Sequence, residues 1–297
     1  MAPEPNSPHE QIKSIGLPAG VSPTATGGLP LWEVDLEAPS WRRTLKRSTP
    51  RALISAYRAV RRPRDPLSVA RFVIGPVGET SIGERLRLAR KIHAIQQSVH
   101  CMHYQHEIIA FFEAALSPPK AVEGCLVEAG CYKGGGTAKF SLAAKLAGRE
   151  LVAFDSFEGI PDNQEPHDKD IWGYDSAFPG GSWAGTLPEV KSCVEKWGEI
   201  DMCKFVQGWF EDTMPEFTQP VVVAYLDVDL ASSTRTCLKH LYPLIAPGGI
   251  VLSQDGHIPL VLDVFNDEAF WRDEVGVAKP EIEKFGHKLL RIVKPVG

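Results

Sequence analysis

The sequence predicts an α/β protein: a doubly wound, mainly parallel sheet preceded by N-terminal helices. Two observations carry that reading. Short runs rich in Val, Leu and Ile recur from residue 124 onward: GCLVEA (124–129), ELVAF (150–154), CKFV (203–206), VVVAYL (221–226) and IVLS (250–253). Helix-length segments separate them, and such alternation builds a parallel sheet whose ligands sit at the carboxyl ends of the strands. LLRIV (289–293) supplies a late edge strand.

Taken in order, residues 1–40 are rich in Pro, Gly and Ser, with little periodicity, and read as a flexible leader. Residues 41–80 form a basic N-terminal segment. Within 41–64, Arg42, Arg43, Lys46, Arg47, Arg51, Arg58, Arg61, Arg62 and Arg64 face no acid, and Leu45, Leu53, Ile54, Tyr57 and Val60 interleave with them. Pro50 and Pro63 bound a short helix there. Such a segment suits peripheral contact with an anionic membrane or partner. It equally suits a solvated helix packed on the catalytic domain or on a second subunit, which is the simpler reading.

The third region, residues 81–297, carries the sheet. It opens with helices: Ser81 and Glu84 fit a capping box, and Leu86, Leu88, Ile92, Ile95 and Val99 form an apolar stripe. A second helix, 106–116, stops before Pro118 and Pro119. His93, His100, His103 and His106 recur every three to seven residues. They suit a helix face beside the mouth of the site better than a metal cluster.

Composition narrows the function. With 297 residues, 43% of them hydrophobic, the chain can bury one large core. A formal net charge of -5 argues against a dedicated nucleic-acid binder. No apolar run is long enough to span a bilayer, and MAPEPNSPHEQ lacks the core of a signal peptide. Six scattered cysteines without CxxC pairing read as the reduced thiols of a cytoplasmic protein.

The chemistry-bearing residues follow the strands. The first run delivers Glu128, Gly130, Tyr132, Gly134 and Thr137 in EAGCYKGGGT. Glycines there allow a tight turn and close approach of backbone to a ligand. The spacing is not GxGxxG, and the leading acid suits an ammonium better than a pyrophosphate. A nicotinamide oxidoreductase is therefore disfavoured. The second run ends at Asp155 and Ser156, and an acid at that place can accept both ribose hydroxyls of an adenosine. The fourth ends LDVDL, with Asp227 and Asp229 on one side of an extended chain. If the IVLS strand lies beside it, Asp255 joins Asp227 at one mouth, where hard oxygen ligands suit Mg²⁺. Asp229 has a plainer reading as the cap of a helix starting near Ser232. Between 161 and 185 an insertion carries Trp172, Tyr174, Phe178 and Trp183 among several glycines, the composition of a lid.

In order, the segments VEAGCYKGG, FDSFEGIP, SWAGTLPEVK, QGWFEDTMP, LDVDLASST and YPLIAPGGIVLSQDG resemble the TylF-type macrocin O-methyltransferases, over roughly residues 85–275. The resemblance implies a Rossmann-like class I methyltransferase fold that uses S-adenosylmethionine (SAM) and Mg²⁺. It also implies a homo-oligomer and, as acceptor, a hydroxyl of a small molecule such as a sugar or glycosylated natural product. It places Glu128, Gly130 and Asp155 at SAM, and Tyr132, Gly134, Thr137 and Ser156 of the same two loops are candidates to join them. Asp227, Gln254 and Asp255 fall at the metal, and Asp229 at the general base. Two departures stand out. The family's LYEST is Leu230-Ala231-Ser232-Ser233-Thr234 here, and its tandem Asp-Asp is Gln254-Asp255. Losing one negative charge predicts weaker metal binding, with His257 a substitute ligand or base. It also motivates the alternative of a degenerate methyltransferase fold acting as a binding subunit.

Overall fold

The structure, a computed structural model, describes residues 64–118, 122–285 and 288–296. The readings made for residues 1–63 lie outside the described residues. Strands β1 (Cys125–Ala129), β2 (Leu151–Asp155), β3 (Cys203–Gln207), β4 (Val221–Leu226) and β5 (Ile245–Ser253) run parallel. After them come β6 (Glu283–Phe285) and β7 (Leu289–Val293), with β7 antiparallel to both β5 and β6. The sheet order is β3-β2-β1-β4-β5-β7-β6. This is a Rossmann-like, doubly wound arrangement, with its switch point between β1 and β4.

The central strands are buried on both faces because helices cover both, and Glu128 is the charged residue among β1 and β4. All residues of β1 and β4 are buried. On one face, α1 (Arg64–Ile74), α2 (Ile82–Ser98), α3 (Gln105–Leu116) and α4 (Gly135–Ala147) gather around Phe72, Phe111, Phe112, Phe140 and Tyr225. The Phe111 and Phe140 rings stand 4.1 Å apart, and Phe140 and Tyr225 stand 4.7 Å apart. Each such ring contributes roughly 1.5–3 kcal/mol on burial. Also flanking the sheet are α5 (Leu187–Trp197), α6 (Ala231–Leu241) and α7 (Pro259–Asn266). The opposite face centres on Cys237, Leu238, Val261, Phe265 and Trp271, packed on Val127, Ala224 and Val251.

Local signals set the helix ends. Ser81 Oγ accepts from Glu84 N at 3.3 Å while the Glu84 carboxylate accepts from Ser81 N at 2.8 Å, the reciprocal box read from the sequence. Further on, α1 stands inside the folded unit: Phe72 meets Phe112 edge-on, and Asp65 accepts from the backbone N of His106 at 3.0 Å. Residues 64–80 therefore share the core that supports the site. No helix among the described residues is long and apolar enough to cross a membrane.

Candidate functional site

A parallel sheet opens a crevice at the carboxyl ends of its strands where the strand order reverses. Here Gly130 follows β1, Asp155 ends β2, Asp227 follows β4, and Gln254 and Asp255 follow β5. Backbone bonds hold those ends in register: Gly130 N donates to Phe154 O, Asp227 N to Ala129 O, and Gln254 N to Leu226 O, all at 2.8–3.0 Å. One cleft joins Gly130, Tyr132, Asp155, Ser156, Asp227, Asp229, Gln254, Asp255 and His257.

On its acidic side, donor oxygens of Asp227, Asp229 and Asp255 lie within 4.8 Å of one another. Asp255 is 1% exposed; its Oδ2 accepts from Val228 N (2.8 Å) and Asp229 N (3.1 Å), and its Oδ1 is buried without a partner. Burial raises all three carboxyls. Asp227 is pushed up to about 7 by burial and then by the charge of Asp255. About a quarter of the Asp227 side chain is open to solvent, which relieves part of that burden. Three carboxylates this close need positive charge among them.

Asp229 is held by the backbone. Its φ is +60°, and Leu230 N donates back to Val228 O at 2.6 Å, closing a tight three-residue turn. Among the described residues, the non-glycine positions with positive φ are Tyr132, Phe157, Trp183 and Asp229, all in or beside this cleft. Such conformations cost of order 1–3 kcal/mol and cluster where geometry serves function. The plainer reading of Asp229 as a helix cap does not describe its role: Leu230 is the N-cap of α6. Instead Glu165, from the insertion, accepts from Ala231 N and Ser232 N, both at 2.8 Å.

On the opposite side, Asp155 Oδ2 accepts from Cys131 N at 2.5 Å and Oδ1 from Phe157 N at 2.6 Å. Burial raises its carboxyl, and backbone donors from Cys131, Phe157 and Tyr132 offset part of that rise. Gly130 has φ +90°, and a Cβ there would collide with the Asp227 carbonyl oxygen. Glu128 is 1% exposed and does not line the cleft. Its Oε1 is unpartnered, set behind Gly136, and burial pushes its carboxyl up. Gly134, at φ +75°, caps α4, and Thr137 is fully buried in its first turn. Ser156 Oγ donates to Gly159 O and accepts from Glu158 N, both at 3.1 Å, so it shapes the loop after β2. The Tyr132 hydroxyl lies 3.1 Å from His100 Nδ1, and its ring meets Trp183 of the insertion edge-on.

Gln254 is turned into the core. Its Oε1 accepts from the Tyr225 hydroxyl at 2.5 Å and its Nε2 donates to Met102 O at 3.4 Å. His257 is pushed down to about 4 by burial and then by Lys288, and its ring stacks under Trp172 at 5.4 Å. Ile171 N also donates to His257 O at 2.9 Å. The insertion is thus fixed at two places, α6 and the loop after β5.

Three residues here escaped the sequence reading as site residues. His103, 6% exposed, sets Nε2 3.5 Å from Asp227 Oδ2. Burial holds its imidazole well below the ordinary value, with Lys139 and Lys288 adding to the effect. Lys288 lines the cleft, and Glu165 caps α6. The four histidines part ways: His93 meets Gln105, His100 Tyr132, His103 Asp227 and His106 Asp65.

A model of the macrocin O-methyltransferase (TylF) family matches residues 112–283, more than half of the chain. Over 167 residues the chain is 32% identical to 8-demethyl-8-(2,3-dimethoxy-alpha-L-rhamnosyl)-tetracenomycin-C 4'-O-methyltransferase of Streptomyces olivaceus, covering 54% of this chain and 62% of that protein. Over 174 residues it is 30% identical to mycinamicin III 3''-O-methyltransferase of Micromonospora griseorubida, covering 54% and 65%. The matches therefore span less than two thirds of either relative. Among solved structures, the O-methyltransferase NovP superposes with a TM-score of 0.56 at 22% identity, over 77% of this chain and 97% of that one. Calicheamicin methyltransferase CalS11 gives 0.51 at 16%, over 71% and 92%. These two likenesses bear on the fold.

Proposed function

The chain belongs to the macrocin O-methyltransferase (TylF) family, and from that premise we propose that it transfers a methyl group from SAM to a hydroxyl of a sugar-bearing small molecule. The observation that carries this reading is the single cleft with Asp155 and Gly130 on one side and Asp227, Asp229 and Asp255 on the other. The substrates for which those relatives are named, a rhamnosyl tetracenomycin and a mycinamicin, support a glycosylated acceptor.

When bound, SAM supplies a methyl already activated by its sulfonium. Asp155 receives the ribose hydroxyls, and Gly130 lets the cofactor lie against the backbone between β1 and β4. Glu128, buried behind the glycine turn with its carboxyl pushed up by burial, stands outside the cleft and packs the turn from behind. When bound, Mg²⁺ supplies positive charge that lowers the pKa of an acceptor hydroxyl. Asp227 and Asp255 are the residues that would hold it. The unpartnered Oδ1 of Asp255 and the mutual repulsion of the cluster both favour such a cation. Gln254, whose amide is committed to Tyr225 and Met102, stands outside this ligand set. Asp229, raised by burial, is a better base than an ordinary carboxylate and accepts the acceptor's proton. The insertion orients the acceptor and excludes water. Homo-oligomerisation belongs to the same reading and is checked by light scattering.

Calorimetric titration of SAM, with Mg²⁺ and then with EDTA, tests the assignment. Micromolar SAM binding is expected in both conditions; no binding in either would sink the methyltransferase reading. Binding followed by no turnover across an acceptor screen would favour the degenerate binding subunit. Deleting 170–182, which removes Trp172 from His257, is expected to raise the acceptor KM by about tenfold, a loss of roughly 1.4 kcal/mol, while SAM affinity holds. Unchanged acceptor kinetics would rule out the lid.

A further inference from the structure

A buried lysine lines the same cleft as the carboxylate cluster. Lys288 is 9% exposed and lines the cleft with Asp227, Asp229 and Asp255. Its position is fixed by the sheet: Lys288 immediately precedes β7, and its carbonyl accepts from Gly256 N at 2.8 Å, one residue beyond Asp255. Nζ donates to Met102 O at 3.2 Å and lies 5.6 Å from the centre of the Tyr104 ring.

Gln254 shares that anchor, since its Nε2 donates to the same Met102 carbonyl at 3.4 Å. The neutral amide and the ammonium thus form one unit at the edge of the cluster. An Asp at 254 would add a fourth negative charge to the cluster; Gln254 and Lys288 together make it more positive.

The charge of Lys288 reaches four acids. It lowers the carboxyls of Asp227, Asp229, Asp255 and the buried Glu107 relative to what burial alone would give. Burial by itself would weaken the ammonium, yet Glu107, Asp227, Tyr104 and Asp255 hold it above the ordinary lysine value. His257 is pushed down partly by the same cation. A buried ammonium is retained only where such compensation exists.

We propose that Lys288, paired with neutral Gln254, is a resident counter-cation of the Asp227–Asp229–Asp255 cluster, supplying part of the charge a divalent ion would otherwise bring and weakening that ion's binding. The cluster is the acceptor-side site of the function proposed above, and the inference rests on that reading.

The test needs neither SAM nor acceptor, so it fails or succeeds separately from the methyltransferase reading. Mn²⁺ is titrated into the full-length protein and its free signal followed by electron paramagnetic resonance. The unaltered protein is expected to bind more weakly than about 100 µM; tighter binding overturns the proposal. Lys288→Met is expected to bind at least about tenfold more tightly, because a like charge leaves the site. Lys288→Arg is expected to match the unaltered protein, and Asp255→Asn in the Met background to lose the gain. A folded Lys288→Met with unchanged affinity also overturns it. Circular dichroism monitors folding; if Lys288→Met does not fold, Lys288→Gln, which keeps a donor for the Met102 carbonyl, takes its place with the same expected gain, and an unchanged affinity there overturns the proposal.

Discussion

Replacing Asp229 with Asn is expected to lower turnover by about 10²–10⁴-fold, the usual range for loss of a positioned general base, while SAM affinity stays unchanged. The substitution keeps the size of the side chain and its turn, but removes the oxygen that takes the proton. Geometry makes Asp229 the candidate. Its positive φ aims the carboxylate into the cleft, and Glu165 relieves it of capping α6. Burial raises its carboxyl above the ordinary range, with Asp255 and Asp227 adding to the rise. A base must be deprotonated to work, so activity is lost as pH falls through that raised value. The acidic limb of kcat/KM against pH should accordingly lie above the usual carboxylate range and disappear in the Asn variant. An Asn variant with full activity and the same limb would remove Asp229 from the chemistry.

The sheet was largely legible because its signal is local. Strands buried on both faces read as continuous apolar runs, and VVVAYL and LLRIV coincide with β4 and β7. The capping box at Ser81 was equally plain, since both partners sit within one turn. Asp155, Asp227 and Asp255 could be placed together once strand order was assumed, because each terminates its own run. The rest depended on partners distant in sequence. Lys288 immediately precedes the last strand and shares a cleft with a cluster dozens of residues earlier, so no spacing marks it. Glu165 caps a helix 66 residues onward, in place of the local acid that the sequence offered. β6 is three residues long and carries no periodicity to read. For α1 the cue was weak: a basic stretch masked Phe72, whose burial against Phe112 depends on α3. Gln254 was readable as a lost charge, but its engagement with Tyr225 and Met102 was not.

Gly130→Ala is expected to cost about 3–5 kcal/mol, in the range reserved for a named structural conflict, and to abolish SAM binding. Two penalties combine. At φ +90° an alanine sits outside the conformations its Cβ favours. The Cβ would also be driven into the Asp227 carbonyl, which belongs to the backbone and cannot rotate away. Relief requires β1 and β4 to part at their carboxyl ends, where Asp227 N is bonded to Ala129 O at 3.0 Å. That movement would displace Asp227 and the loop beside Asp155 together, so cofactor and acceptor sides fail at once. Gly148 separates the two penalties. It also has positive φ, at +64°, but nothing lies within 4 Å of the point where an alanine methyl would stand. Gly148→Ala should therefore cost only about 1 kcal/mol and bind SAM normally. Thermal melts and SAM titration of both variants read the difference directly. Equal losses would mean that backbone strain alone explains Gly130; a large gap would identify the closeness of β1 and β4 as what holds the two halves of the site in register.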